Sequence, residues 1–207
     1  PDARLVAAWD DDEERGGQTA ARFGMDYSTD LEAVLARPDV DCFMVGSETS
    51  RHADLAVAAL EAGKAVLLQK PMALTLADCD RIIAAADRTG RWFSLAFQMR
   101  HDPMNQRMRE LVRAGALGKV GAIRRRHCIP VLFNRDFVEG KTRWHVTAEA
   151  NKGMFFDDAT HALDWLWWML GEMPVSVIAE IDNVLTDVAP DDTGVAIYRY
   201  ADGLFAE

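Results

Sequence analysis

The chain has 207 residues, 49% of them hydrophobic and 27% charged, which suits one or two globular domains with a core of their own. Its net charge of −10 argues against a nucleic-acid partner, and no apolar run reaches the roughly 20 residues that a membrane span needs. The three cysteines, Cys42, Cys79 and Cys128, are scattered and odd in number. They read as reduced, buried small hydrophobes of a cytoplasmic protein, and not as a disulfide set or a metal site.

Leu5–Trp9 is a short apolar run that predicts a strand ending at Asp10. Asp11–Phe23 reads as a helix with acids in its first turn and Gly24 at its end. Leu31–Leu35 predicts a short helix, Val40–Val45 a buried strand, and Ser50–Ala62 a helix closed by Gly63. Ala65–Leu68 is apolar throughout and lies between turn signals, as a buried parallel strand does. Thr75 can cap a helix that runs to about Arg88, before Gly90, and Trp92–Phe97 predicts a fourth strand of the same kind. Strands and helices alternating at this spacing imply crossover units and a parallel sheet.

After Arg100 the rhythm changes. Pro103–Ala114 is a helix ending at Gly115, and Val120–Ile129 alternates as one long, half-exposed strand. The basic run Arg124–His127 within it reads as a solvated face. Residues 130–151 mix charge and aromatics without periodicity, which suggests a long loop over a site. Phe155–Leu170 predicts a helix, and Val175–Val184 and Val195–Tyr200 alternate like strands of an open antiparallel sheet. The expected division is therefore an α/β Rossmann-type domain over 1–118, followed by an α+β domain over 119–207 with a mostly antiparallel sheet.

Two places carry candidate chemistry. Gln69, Lys70 and Pro71 directly follow the buried run Ala65–Leu68, and ligands of open parallel sheets bind off the carboxyl ends of strands. A lysine there either extends into water or works with a ligand. Asp157 and His161 are four residues apart and share a helix face. A carboxylate beside an imidazole is expected to raise its pKa and to orient it, which suits acid–base chemistry; a surface pair or a satisfied core histidine is the plainer alternative. Asp10 stands where the second strand of a dinucleotide fold places its ribose-binding acid, although a turn aspartate has the same look. The glycine-rich turn belongs roughly 20 residues before that acid, and only nine precede it here. The chain is thus expected to be part of a longer protein, cut at both ends.

These residues together resemble the glucose–fructose oxidoreductase / inositol dehydrogenase / MocA (Gfo/Idh/MocA) family. The likeness runs from Leu5 to about Tyr200. It is carried by His52 leading into Ala59-Leu60-Glu61-Ala62-Gly63-Lys64, by Gln69-Lys70-Pro71, by Gln98, Arg100 and Pro103, by Gly115-Ala116-Leu117-Gly118-Lys119-Val120, and by Asp157, Ala159, His161 and Asp164. Some positions depart from the family pattern: Gln69 replaces a glutamate, Ser47-Glu48 a threonine–proline pair, Lys152 one of a glycine pair, and Ala159 a glycine.

The resemblance implies an NAD(P)-dependent dehydrogenase acting on a CH–OH group of a sugar, cyclitol or related polyol. It implies Lys70, Asp157 and His161 as catalytic residues, with Lys70 bonding the hydroxyl, His161 taking its proton and Asp157 orienting the pair. Asp10, Ser47, Glu48, His52, Gln69, Lys70 and Gln98 are the implied cofactor contacts. NAD is favoured over NADP because Asp10 would repel a 2′-phosphate. Arg100, Trp144 and His145 are implied substrate contacts, with lid packing as the alternative for the aromatic pair. The Lys70–Pro71 peptide is expected to be cis, and a homodimer or homotetramer is expected through an exposed sheet face. Two other functions remain open at this level. One is a bond-cleaving enzyme of glycosidase or lyase type that oxidises its substrate transiently, and the other is a non-catalytic NAD-binding protein.

Overall fold

The computed structural model describes residues 3–207. The chain forms two compact units. Among the described residues the first comprises 3–47, 52–69 and 75–95, and the second 48–51, 70–74 and 96–207.

In the first unit the strands are parallel. β1 (Ala7–Trp9) pairs with β2 (Asp26–Ser28), and β3 (Cys42–Val45), β4 (Ala65–Leu68) and β5 (Phe93–Leu95) form a second ladder in that order. Helices α1 (Glu13–Phe23), α2 (Leu31–Leu35), α3 (His52–Glu61) and α4 (Leu76–Thr89) make the connections. Each boundary has a local cause. Asp12 caps α1 by accepting from the Arg15 amide at 2.8 Å, and the Thr75 hydroxyl accepts from the Asp78 amide at 3.1 Å to open α4. Gly90 ends α4 with φ 63°, a left-handed turn that a side chain would disfavour. The core gathers Ala56, Ala59 and Leu60 of α3, Val66 and Leu68 of β4, and Ile82 and Ala85 of α4, all fully buried. Burial of this order stabilises by about 1.5–3 kcal/mol for each large aliphatic side chain.

In the second unit β6 (Ala122–Ile123), β9 (Phe205–Ala206), β8 (Thr193–Arg199) and β7 (Ser176–Asp182) form a four-stranded sheet in that spatial order. β7 and β8 are antiparallel, with Ala179 opposite Ala196, and β9 runs antiparallel to β8 and parallel to β6. Helix α5 (Pro103–Arg113) starts at the Asp102 cap and packs on α8 (Met154–Leu170). Trp165 of α8 donates its indole N–H to Asn105 at 3.0 Å, and Arg109 bonds the Trp168 carbonyl at 2.9 Å. Trp165, Leu166 and Met169 form the core of this unit with Tyr200, Leu204 and Ala206. No described helix is long and apolar enough to cross a membrane.

Three sequence expectations need correction. The long strand over 120–129 is a strand only at Ala122–Ile123, because its ladder partner β9 is two residues long. The loop over 130–151 contains two short helices, α6 (Arg135–Val138) and α7 (Ala148–Asn151), each under two turns and so without a readable period. The cysteines are not buried: Cys42 and Cys128 are exposed and Cys79 is half-buried. Cys42 lies on the exposed side of β3, with Met44, and Cys128 lies beyond the end of β6.

Candidate active site

Helix α8 has no capping side chain of its own, because its N-cap is Gly153. Asp191, from the β7–β8 connection, supplies the acceptor: its Oδ1 takes the Phe155 amide at 2.5 Å. The approach is so close that a Cβ on Gly153 would stand 1.9 Å from Asp191 Oδ2. The backbone bond from the Asp157 amide to the Gly153 carbonyl, 3.1 Å, then starts the helix. Asp157, His161 and Asp164 follow at four- and three-residue spacing on one face, each only 8% exposed.

Each carboxylate of that face holds a cation. Lys70 donates its Nζ to Asp157 Oδ1 at 2.7 Å and to the Asp157 carbonyl at 3.2 Å. The Lys70–Pro71 peptide is cis. Arg100 grips Asp164 with both arms, Nε to Oδ2 at 2.9 Å and Nη2 to Oδ1. Its guanidinium lies over the Phe97 and Trp167 rings, 5.7 and 5.2 Å from their centroids. Between these pairs stands His161, edge-on to Phe97, with a buried Nδ1 that has no hydrogen-bond partner among the described residues. Its pKa is lowered, first by burial and then by the Lys70 charge; Asp158 and Asp157 oppose the shift without reversing it. The expectation that the neighbouring acid raises this pKa therefore fails, because Asp157 is committed to Lys70 and burial outweighs its field. A buried imidazole held neutral with an ammonium near it can take a proton from a hydroxyl and stabilise the resulting oxygen charge.

Trp144 and His145 stack on each other at 3.5 Å between ring centroids, and His145 also meets Phe137 at 5.0 Å. This segment is tied down by Asn151, which is fully buried: the Thr49 hydroxyl donates to its Oδ1 at 2.6 Å, and its Nδ2 donates to the His145 carbonyl at 3.3 Å. Glu48 lies 3.9 Å from Arg51, and Gln98 is exposed at the start of a short 3-10 turn.

In the first unit Asp10 directly follows β1. Arg15 bonds both of its carboxylate oxygens, at 2.7 and 2.6 Å, and this holds its pKa below the ordinary value. His52 is buried at the head of α3, with its ring Nε2 3.1 Å from the Ser47 carbonyl, and Gln69 is exposed just past β4. Sequence reasoning missed the roles of Asn151 and Asp191, whose partners lie 102 and 36 residues away. Asp164 is named in the sequence motif with Asp157 and His161, but its pairing with Arg100, 64 residues away, was not legible there.

Comparison with known proteins agrees with this architecture. Residues 1–97 match the model of an oxidoreductase family with an NAD-binding Rossmann fold, and residues 105–207 match the Gfo/Idh/MocA C-terminal domain. The chain belongs to the Gfo/Idh/MocA oxidoreductase family. Among curated proteins it is 34% identical to inositol 2-dehydrogenase 3 of Saccharopolyspora erythraea, over 84% of this chain and 48% of that protein. It is 27% identical to myo-inositol 2-dehydrogenase of Thermotoga maritima, over 98% of this chain and 59% of that one. Among solved structures, the WlbA dehydrogenase of Bordetella pertussis, in complex with NADH and UDP-GlcNAcA, superposes with a TM-score of 0.85 at 26% identity. That match covers 99% of this chain and 58% of the other. The chain spans about half the length of the curated relatives it matches.

Proposed function

We propose that the protein containing this chain is an NAD-dependent dehydrogenase that oxidises a ring hydroxyl of a sugar or cyclitol. The observation that carries this reading is the buried Nδ1 of His161, unpartnered among the described residues, on the same helix face as the Lys70–Asp157 pair. NAD, when bound, supplies the hydride acceptor. Asp10 suits such a group: it follows a parallel strand and is kept ionised by Arg15, so it can accept bonds from ribose hydroxyls. Ser47, His52 and Gln69 are assigned to the same task, and Glu48 and Gln98 are assigned as further cofactor contacts. Lys70 bonds the substrate hydroxyl and stabilises the developing alkoxide; Asp157 fixes the ammonium in place. His161 takes the hydroxyl proton. Arg100, Trp144 and His145 are assigned to the substrate ring. The named relatives are dehydrogenases and reductases, which favours net oxidation or reduction over bond cleavage or a non-catalytic role. A homodimer or homotetramer is supported by Val177, Ile178 and Ile181, apolar residues exposed along β7.

The test is NADH formation by the full-length enzyme with a panel of inositols and sugars. Lys70→Ala and His161→Ala should each lower turnover about a thousandfold, the scale of a lost acid–base group. Activity should rise with pH as the His161 imidazolium loses its proton, and the midpoint should lie below the ordinary histidine value of 6.5, because burial and Lys70 both disfavour the charged ring. A midpoint above 7, or full activity in both variants, overturns the assignment. The same shift links to stability. The unfolded chain binds more protons than the folded one below pH 6.5, so acidification from there downward destabilises the fold.

A further inference from the structure

The basic run Arg124–His127 continues β6 along α8. Side chains of an extended segment alternate, and here Ile123 and Arg125 are half-buried while Arg124 and Arg126 are exposed; His127 is exposed but still reaches α8. Ile123 packs on the core cluster of Trp165, Leu166 and Met169, and the His127 Nδ1 hydrogen-bonds Asp158. Two residues of strand advance about 6.6 Å and one helical turn about 5.4 Å, so Arg125, midway between these contacts, comes level with the turn of α8 that holds His161. The contacts agree with this placement. Its Nη2 lies 3.4 Å from Met99 Sδ, and its charge is one of those acting on the His161 ring. Arg125 and His127 line a cavity of about 680 Å³ with Asp158, Ala159 and Ala162 of α8 and Val195 of β8.

Four other basic groups around this helix are matched, and Arg126, in the same cavity lining and without an ion pair among the described residues, is exposed to water. Lys70 has Asp157, Arg100 has Asp164, Arg124 has Glu207 and His127 has Asp158. Arg125 is half-buried and has no carboxylate within ion-pair distance among the described residues. A partly desolvated guanidinium without a counter-charge is unfavourable, and a bound anion removes that penalty.

We propose that Arg125 recognises a carboxylate on the substrate, so that the enzyme acts on a ring polyol that is also an acid, such as a uronic acid or a cyclitol carboxylic acid. This rests on the dehydrogenase reading above and narrows it. The planar guanidinium fork matches a carboxylate with two parallel bonds. Asp158, in the same cavity lining, disfavours a dianionic phosphate.

The experiment compares kcat/KM of the full-length enzyme, with NAD, for D-glucuronate against D-glucose and for quinate against myo-inositol. The acid of each pair should be the better substrate. Arg125→Ala should lower the acid-to-neutral ratio about a hundredfold, the scale of a lost charged hydrogen bond, and Arg125→Lys should fall between. An unchanged ratio in a folded Arg125→Ala overturns the proposal, and so does a preference for glucose 6-phosphate over glucuronate. Glucuronate binding, followed by NMR without turnover, separates the two readings. Binding that survives His161→Ala and is lost in Arg125→Ala supports the carboxylate site even where no polyol is oxidised. Oxidation of neutral polyols with no glucuronate binding leaves the dehydrogenase standing and removes this inference.

Discussion

In the first unit the ion pairs between α3 and α4 lie on the surface, while Arg15–Asp10 is part-buried. Arg81 reaches Asp54 of α3 and Asp78 of its own helix, with the Arg81 and Asp54 side chains 52% and 78% exposed, and Arg88 reaches Glu61 in the same way. The second unit has surface pairs too, such as Arg107–Glu110 and Arg135–Glu139, but the pairs at Asp157 and Asp164 of α8 lie inside. Lys70 and Asp157 are 17% and 11% exposed, and Asp164 under Arg100 is 6% exposed. Exposed pairs gain little, since water screens the attraction and ordering two long side chains opposes it. Buried pairs carry a desolvation penalty that a hydrophobic replacement would not have. The first unit is held by the apolar contacts of α3, β4 and α4 and does not need its ion pairs. The second places two carboxylates and an imidazole on one helix face where Leu or Ala would pack as well, and the gain there is in chemistry.

Three substitutions test that contrast. Asp157→Ala strands the Lys70 ammonium in a mostly dry place and should cost roughly 3 kcal/mol in urea unfolding, besides abolishing turnover. Asn151→Ala leaves the Thr49 hydroxyl and the His145 carbonyl without their partner and should cost about 1–3 kcal/mol; a thermal unfolding midpoint equal to that of the parent would show that this buried link is dispensable. Arg81→Ala, on the exposed side of the contrast, should leave the unfolding midpoint unmoved within error. A loss there as large as that of Asn151→Ala would erase the distinction between the units.

Much of this was legible in the residues. Ala65–Leu68 reads as a buried strand because it is, with Val66 and Leu68 fully buried, and Thr75 and Gly90 mark α4 through their capping chemistry. The shared face of Asp157 and His161 follows from helical spacing alone. What could not be read came from partners distant in sequence or elements too short to show a period. Strand β2 is three residues long. Lys70 and Asp157 meet across 87 residues, and burial of His161, seconded by the Lys70 charge, turns its shift downward where local reasoning predicts upward. Arg125 sits within a run that reads as a solvated face; Arg124, Arg126 and His127 are exposed and fit that description, and only Arg125 is half-buried.

The cap on α8 has a consequence for how the molecule is made. Asp191 is synthesised well after Asp157 and His161, and the β7–β8 connection must close before its carboxylate can reach the Phe155 amide. On a translating ribosome that acceptor arrives late, so the first turn of the helix lacks the cap's contribution of about 1 kcal/mol until the hairpin folds back.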